Sequence, residues 1–323
     1  MHPLTSNFKY PLYPIVGDPR FSGLFSPERD YDVRTKAGVT EQFIGEADSY
    51  HDRYTSIPDW TYHISRSLER IGVTGSPAVL DVGSGSGNSI LPMLDLLPDS
   101  RIVATDISPD LLGILSLNLT PKQKERCLLV AMDACDDVLV PESFDLAIGA
   151  AILHHIVDPQ TVIASTIRAL KPGGYAVFYE PFESGSALIR LLYKNLFMRK
   201  FELGIRSKIA WFLMDLVRGF ELRTGTDKSN EIYQQIDDKW VFTRTYFERV
   251  ASELGCRVHS VYPLDEEKEQ FSGKLRAHLR LGMGLGPEAL PARAWRVVQE
   301  YDALLSSDLR QEIFVEGCLI LAK

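Results

Sequence analysis

The fold of this chain is decided by one stretch, Val79-Leu80-Asp81-Val82-Gly83-Ser84-Gly85-Ser86-Gly87-Asn88. A short apolar run, which predicts a buried strand, leads into three alternate glycines, and a helix is predicted to follow. Glycines permit a tight turn and let a ligand approach the backbone, while the next helix offers unpaired N–H groups at its start. The stretch therefore predicts a ligand-binding turn; the alternative is a tight turn that holds no ligand.

The spacing of these glycines separates two classes of ligand. A dinucleotide-binding turn follows the pattern GxGxxG, in which the backbone approaches a pyrophosphate. Here the pattern is GxGxG, and Asn88 occupies the position of the last dinucleotide glycine. Asp81, which opens the turn, would repel a pyrophosphate but suits a ligand with a positively charged ammonium group. The turn thus favours an amino-acid-like cation over a dinucleotide.

Carboxylates also follow the next two predicted strands. Asp106 comes after the apolar run 102–104, and a carboxylate, which only accepts hydrogen bonds, suits the two hydroxyls of a ribose. Ile107 is placed to pack against a flat base, and Asp133 after the third strand suits the exocyclic amine of adenine. The alternatives are that Asp106 or Ser108 only caps the next helix, and that Asp133 is a solvated loop acid.

Short apolar runs alternate with helical patterns beyond this stretch. Strands are predicted at 78–80, 102–104, 128–131, 144–150, 175–179, 256–262 and 312–321. Helices are predicted at 40–56, 60–71, 184–200, 205–220 and 243–254. Strand–helix alternation predicts a parallel sheet covered on both faces. Residues 1–35 are rich in proline, which argues against regular structure there.

Several motifs in order resemble those of the class I S-adenosylmethionine-dependent methyltransferases. They are the glycine turn, the two strand-end acids, Phe144-Asp145-Leu146-Ala147, His154-His155-Ile156 and Leu170-Lys171-Pro172-Gly173-Gly174. The resemblance covers residues 77–180, and 312–323 is similar to the family's antiparallel seventh strand. It implies an α/β fold with a seven-stranded Rossmann-like sheet and helices on both faces. The expected divisions are an N-terminal helical extension (1–75), the cofactor-binding core (76–181), a helical insert (182–240) and the rest of the core (241–323).

The same resemblance implies S-adenosyl-L-methionine as the cofactor and assigns residues to it. Glycines of the turn would line the methionyl part, Asp81 would orient its ammonium group, and Asp106 and Asp133 would hold the ribose and the adenine. The full implied set is Asp81, Gly83, Ser84, Gly85, Gly87, Asp106, Ile107, Met132, Asp133, Ala134, Gly149 and Ala150. Tyr50 and Tyr54, four apart on an N-terminal helix, are further candidates to close over the cofactor; the alternative is ordinary helix packing.

Methyl transfer from a sulfonium requires alignment and, for a hydroxyl acceptor, removal of one proton. His154 and His155 follow the fourth strand, and an unperturbed histidine titrates near 6.5, which suits a base. Adjacent helical residues point about 100° apart, so only one histidine is expected to face the cleft. Glu180, at the end of the fifth strand, is the third catalytic candidate. The alternative is that both histidines only pack or cap.

Two inserts interrupt the core pattern. The segment 182–240 interleaves apolar residues with arginines and lysines, which fits a lid, a membrane-surface helix, a homodimer interface or an additional helical layer. We favour the lid. The segment 265–310 carries several arginines and His278, which would suit an acidic or sugar-like acceptor, although a solvated helical face explains them equally well.

The bulk composition limits the partners. The formal net charge is -8, whereas general nucleic-acid binders are usually basic, so a nucleic-acid substrate is disfavoured. The four cysteines have no CxxC or zinc-ligand spacing, which predicts no metal site, reduced thiols and a cytoplasmic location. There is neither a signal-peptide pattern at the start nor an apolar run of the roughly 20 residues that span a bilayer.

The sequence therefore predicts a methyltransferase acting on a small molecule, with a hydroxyl oxygen of a natural product or a sugar as the acceptor. Two other classes remain open. An NAD(P)-dependent oxidoreductase would use Asp106, 19 positions after Gly87, as its ribose acid. A non-catalytic module would bind the cofactor or a partner without turnover.

Overall fold

The computed structural model describes residues 2–36, 38–264 and 270–323. These residues build a nine-stranded sheet. The strands are Tyr13–Pro14 (β1), Leu24–Ser26 (β2), Ala78–Val82 (β3), Arg101–Asp106 (β4), Cys127–Ala131 (β5), Phe144–Ala150 (β6), Leu170–Pro181 (β7), Arg257–Pro263 (β8) and Glu316–Ala322 (β9).

Helices connect most of the strands. In chain order they are Ala47–Tyr54 (α1), Ile57–Ile71 (α2), Ile90–Leu96 (α3), Pro109–Asn118 (α4), Pro121–Lys124 (α5), Pro159–Ala169 (α6), Glu183–Met198 (α7), Lys200–Leu203 (α8), Ser207–Arg223 (α9), Arg244–Glu253 (α10), Gln270–Met283 (α11), Ala292–Leu304 (α12) and Ser307–Glu312 (α13). Ser108 caps α4, as predicted, by accepting from the Leu111 N–H. None of the helices in these described ranges is long and apolar enough to cross a bilayer.

The strand order is β1-β2-β5-β4-β3-β6-β7-β9-β8. Strands β5, β4, β3, β6 and β7 run parallel, and β9 inserts antiparallel between β7 and β8. The predicted α/β fold and its antiparallel last strand are confirmed. The chain leaves β3 for β4 on one side and later reaches β6 on the other. This reversal opens a crevice at the carboxyl ends of the strands.

The N-terminal segment differs from the prediction of irregular structure for 1–35. It adds β1 and β2 to the edge of the sheet, with Leu24 paired to Leu129 of β5. Leu24 is fully buried, so its side chain contributes to the core. Pro14 is tolerated because it lies in the outermost strand, where a missing N–H breaks no ladder. Two short edge strands therefore extend the seven predicted ones.

Apolar side chains form one core cluster on each face of the sheet and a third cluster outside it. Strand β5 is buried along its whole length, as a parallel strand between two helical layers must be. The third cluster joins α7 and α9 of the predicted 182–240 insert to α11 and α12 of the predicted 265–310 insert. The two inserts thus form one helical layer; residues 265–269, where the second was predicted to begin, lie outside the described ranges.

Candidate active site

The glycine turn lies at the carboxyl end of β3, facing the crevice. Gly83 and Gly85 have φ angles of 71° and 51°, in the left-handed region that glycine adopts at little cost. A Cβ built on Gly85 would meet nothing within 4 Å, since this residue faces an open cavity. A Cβ on Gly87 would lie 2.8 Å from the Leu115 side chain, so Gly87 allows the turn to pack closely on α4. The turn therefore combines an open face with a tightly packed back.

Asp106 fixes the position of this turn and faces the same cavity. Its two carboxylate oxygens accept from the N–H of Gly85 at 2.8 Å and from the N–H of Ser108 at 2.8 Å. Burial raises the pKa of Asp106 to about 6, although both backbone donors oppose the shift. Each carboxylate oxygen has more than one acceptor site, so Asp106 retains the capacity to accept from ligand hydroxyls.

Asp81 lies beneath the turn and is fully buried. One carboxylate oxygen accepts from the Ser89 hydroxyl, and the other, Oδ1, has no hydrogen-bond partner among the described residues. Burial raises the pKa of Asp81 from the usual 3.8 to about 7. A buried carboxylate oxygen without a donor is costly for the protein alone. Its negative charge beneath the turn would favour a positive charge bound on the turn.

We expect the Asp81→Asn variant without ligand to be more stable than the wild type at pH 8. The folded state raises the pKa of this carboxyl, so the wild type loses stability as the pH rises from about 4 to 7, and the neutral amide avoids that loss. The gain should be on the order of 1–3 kcal/mol, or a melting temperature higher by about 2–6 °C, and should vanish towards pH 4. Thermal unfolding at several pH values measures it; a variant less stable at pH 8 would contradict the unpaired charge.

The cavity beside the turn has a volume of about 270 Å³. Of the predicted cofactor residues, Gly83, Ser84, Gly85, Asp106, Ile107, Asp133, Ala150 and Tyr54 line it. Asp81, Gly87, Met132, Ala134 and Gly149 are not part of its wall; the Met132 side chain is 3% exposed and packs in the core beneath the sheet. Cys135, which the sequence did not single out, lines the cavity next to Asp133.

An N-terminal segment, residues 38–55, closes the other side of this cavity. Phe43 contacts Tyr50 edge-on and Tyr50 contacts Tyr54 at a tilt, with ring centroids 5.2 and 4.9 Å apart. His51 contacts the Ser86 hydroxyl through Nδ1 at 2.8 Å, and the Ser108 hydroxyl donates to the Phe43 carbonyl. The two tyrosines are thus wall residues, whereas the sequence gave no signal for Phe43 and His51, whose contacts are made only in the folded chain.

Glu180 is placed at the end of β7, where it holds the loop after β6. Its carboxylate accepts from the backbone N–H groups of Ile152, Leu153 and His154 at 3.1, 2.7 and 3.1 Å. The loop includes Ala151, whose φ of 59° is unfavourable for a residue other than glycine. Three charge-assisted hydrogen bonds from one buried carboxylate can offset that strain. Glu180 is therefore built to position the loop.

Glu180 also orients the His154 ring. The carboxylate lies 2.7 Å from Nδ1 of His154, and because a carboxylate can only accept, Nδ1 carries the proton. The lone pair of the neutral ring is then on Nε2, which lies 3.6 Å from Oδ1 of Asp238. Burial has the largest single effect and lowers the pKa of His154, but the charge and the hydrogen bond of Glu180, together with the charge of Asp238, outweigh it and raise that pKa. His154 is thus held as a base with Nε2 directed away from Glu180.

His155 has a different environment. Its Nδ1 lies 3.1 Å from the Asp237 carbonyl, and its ring contacts Phe43 edge-on. Burial, together with the neighbouring His154, lowers the pKa of His155 to about 3. The two predicted histidines therefore lie side by side, but the pKa is raised for His154 and lowered for His155, although Nδ1 of His155 lies 3.5 Å from Oδ1 of Asp238.

Asp238 completes a cluster that the sequence did not predict. Ligand atoms of His154, His155 and Asp238 all lie within 4.8 Å of one another, as metal ligands would. However, Arg223 pairs with Asp238 at 2.8 Å. Burial would raise the pKa of Asp238, yet His154 and Arg223 lower it to about 2. Because the Arg223 guanidinium already supplies the positive charge that a metal ion would bring, we interpret the cluster as an ion-pair network around His154.

Two further cavities, of about 700 and 470 Å³, adjoin the first. Both have Tyr54, Ala151, His154, Arg223 and Asp238 in their walls, and Tyr54 also lines the cofactor cavity. The smaller cavity has an apolar side formed by Trp60, Phe212, Leu216, Phe220, Leu264, Leu281 and Val315. Its Ser186 hydroxyl is buried without a partner among the described residues. A molecule in these cavities would lie next to His154 and beside the cavity at the glycine turn.

The fold and the site define an α/β protein with a cavity beside the glycine turn at its topological switch point and a second, partly apolar cavity next to it. Residues 80–176 match a family model described as a methyltransferase domain. These residues are therefore similar to a methyltransferase domain, and they lie in a sheet of the Rossmann-like type.

Known proteins agree with this assignment at the level of the domain. A ubiquinone biosynthesis O-methyltransferase of Pseudomonas savastanoi pv. phaseolicola is 31% identical over 112 residues, which cover 34% of this chain and 46% of that protein. The matches span about half the length of such curated relatives.

Two solved structures share the fold. A sarcosine dimethylglycine methyltransferase structure from Galdieria sulphuraria, itself described as putative, has a TM-score of 0.52 at 13% identity, covering 86% of this chain and 98% of that one. The phosphoethanolamine N-methyltransferase 2 of Haemonchus contortus, solved with S-adenosylhomocysteine, has a TM-score of 0.50 at 14% identity, covering 82% and 52%.

Proposed function

We propose that this chain binds S-adenosyl-L-methionine and transfers its methyl group to a hydroxyl oxygen of a small molecule. The observation that carries the proposal is the pair of buried carboxylates around an open glycine turn. Asp81 has an oxygen without a donor beneath the turn, and Asp106 borders the cavity above it. The first would attract an ammonium group and the second would accept from ribose hydroxyls.

The cofactor, when bound, supplies a methyl group on a positively charged sulfonium. The residues of the chain would align it: the turn 83–86 along the amino-acid part, Asp106 at the ribose, and Ile107 and Asp133 around the base. Phe43, Tyr50 and Tyr54 would exclude water from the opposite side. Alignment of this kind can contribute up to roughly 7–11 kcal/mol to a reaction that needs no covalent intermediate on the protein.

His154 is our candidate for removing the acceptor proton. Its Nε2 would accept the hydroxyl proton as the oxygen attacks, while Glu180 on Nδ1 would stabilise the resulting imidazolium. Asp238, 3.6 Å from Nε2, would add to that stabilisation. A base of this kind supports oxygen as the acceptor, as does the relative named for O-methyl transfer. His155, with its depressed pKa, is not expected to share this role.

The acceptor would occupy the cavities beside His154. Their apolar walls come mainly from α9 and α11, so we assign the predicted insert 182–240 to shaping the acceptor site, and residues 38–55 to covering the cofactor. An acceptor with an apolar or aromatic body and one hydroxyl near His154 fits these walls. A cytoplasmic location remains a prediction.

Calorimetric titration with S-adenosylhomocysteine and with NAD tests the proposal, and tight binding of NAD alone would overturn it. We expect Gly85→Val to abolish S-adenosylhomocysteine binding, because the new side chain would project into the open cavity. The matched control is Gly225→Val, at a surface glycine that also has a positive φ and nothing within 4 Å. Both variants share the backbone strain, so loss of binding in both would refute a direct effect of Gly85.

A further inference from the structure

The tip of the helical layer, residues 194–211, exposes large apolar side chains. It comprises the end of α7, the short α8 and the start of α9. Phe201 is 83% exposed, Met198 74% and Trp211 51%. Nearby side chains such as Leu196 and Leu203 are buried in the helical layer, so the exposed residues are not needed to hold the tip together. Contiguous exposed apolar surface of this kind indicates an interaction site.

The apolar side chains are adjacent to one another. The rings of Phe197 and Trp211 meet edge-on, with centroids 4.9 Å apart. The Lys200 ammonium lies 4.2 Å from the Phe197 ring centroid and 4.7 Å from that of Phe201. The tip is therefore a single patch in which a cation is surrounded by aromatic rings.

The tip is also basic, in contrast to the chain as a whole. Within 194–211 there are five cations, Lys194, Arg199, Lys200, Arg206 and Lys208, and one acid, Glu202; Lys194 also pairs with Glu221 at 2.5 Å, so the net charge of the patch is 5 − 2 = +3 in a chain of net charge -8. Arg199 pairs with Glu202 at 2.6 Å and holds the pKa of that acid below its usual range. Arg206 and Lys208 are exposed. The charge of the patch thus calls for an anionic partner.

We propose that this tip docks on the surface of an anionic phospholipid bilayer. Aromatic and methionine side chains would enter the interface while the surrounding lysines and arginines contact lipid phosphates, as in interfacial amphipathic segments. A second copy of the chain fits less well, because a two-fold contact would bring two patches of net charge +3 face to face. Docking of this kind does not require a helix that crosses the bilayer.

Helix α9 connects this surface to the acceptor cavity. Trp211 lies near its start, Phe212 and Leu216 line the smaller cavity, and Arg223 at its end pairs with Asp238. From Trp211 to Arg223 the helix rises by about 18 Å. Docking would therefore hold the acceptor cavity within about 20 Å of the lipid surface, where an acceptor with an apolar body would be concentrated.

Vesicle co-sedimentation of the full chain tests the proposal. We expect binding to vesicles of phosphatidylcholine and phosphatidylglycerol in equal parts, little binding to phosphatidylcholine alone, and weaker binding as salt is raised. Phe201→Glu should weaken partitioning at least tenfold. Lys200→Gln with Lys208→Gln should weaken it about fivefold for each charge. Leu304→Glu is the matched control, since Leu304 is 71% exposed but lies outside the tip.

Three results would overturn the proposal. The first is no binding to anionic vesicles. The second is binding that Phe201→Glu and Leu304→Glu reduce equally. The third is a dimer in light scattering that Phe201→Glu dissociates, which would make the tip a homodimer interface. S-adenosylhomocysteine titration of the same variants should remain at the wild-type value, so a failure of lipid docking is distinguishable from a failure of the proposed function.

Discussion

Asp106→Asn should weaken S-adenosylhomocysteine binding by about 10²–10³-fold in calorimetric titration. The carboxylate borders the cavity, and a hydrogen bond to a charged group contributes about 1.5–3 kcal/mol, so losing the charge towards two ribose hydroxyls accounts for a change of this size. The NH₂ group of the new asparagine would also face backbone N–H groups or ribose hydroxyls that are themselves donors. The variant is nearly isosteric and keeps an acceptor for one of the two backbone N–H groups that Asp106 holds.

Asp110→Asn is the control for this variant. Asp110 is four residues later, in the first turn of α4, and pairs with Arg20 at 3.1 Å, outside the cavity. It should bind S-adenosylhomocysteine within about twofold of the wild type, because Asp110 is not part of the cavity wall. Wild-type affinity in Asp106→Asn, with the control unchanged, would place the nucleoside elsewhere.

The second large effect is expected for Glu180→Gln, in the rate of methyl transfer to a hydroxyl acceptor. We expect kcat to fall by about 10²–10⁴-fold, the range that general bases contribute, because His154 loses its orienting anion. The pH profile gives a sharper readout. Glu180 raises the pKa of His154, and His154 can act as a base only when it is neutral, above that pKa. The pH–rate profile of the wild type should therefore have a rising limb above pH 6.5. Without the Glu180 charge this limb should move to lower pH.

A purely structural role of Glu180 predicts a different outcome. If Glu180 only held the loop 151–154, the variant would lose activity with no displacement of the limb. His154→Gln should abolish the limb, and adding Glu180→Gln to it should cost little more, because the two residues act as one unit. His154 would not be the base if the rising limb of the pH–rate profile stayed in place in Glu180→Gln, or if the losses in kcat were additive in the double variant.

The core of this fold was accessible from the sequence because parallel strands are buried on both faces. Such strands read as continuous apolar runs between helical patterns, and their ends carry the polar residues of the crevice. Asp106 and the glycine turn were found for that reason. The short strands β1 and β2 were missed because two- and three-residue strands containing proline leave no periodic signal, and their pairing with β5 is made only in the folded chain.

The acceptor side of the site was predictable only in part. His154 and Glu180 were recognised by their positions after strands, but the hydrogen bond between them joins residues that are 26 positions apart. Asp238 and Arg223 gave no signal, since each lies in an insert whose path depends on how α9 packs. The same applies to Phe43, which lines the cavity, and to His51, which contacts Ser86 of the glycine turn. Spacing locates residues on one element but does not determine which distant elements meet.

The covering of the cofactor cavity by residues 38–55 has a consequence for turnover. This segment is held by hydrogen bonds that include Thr40 to the Asp237 carboxylate, His51 to Ser86, and Ser108 to the Phe43 carbonyl. A spent nucleoside can leave only when such bonds open, and local openings of this kind require far less free energy than global unfolding. The rate of product release would then be limited by local opening of residues 38–55. Amide hydrogen exchange in this segment would report the rate-limiting step of the catalytic cycle.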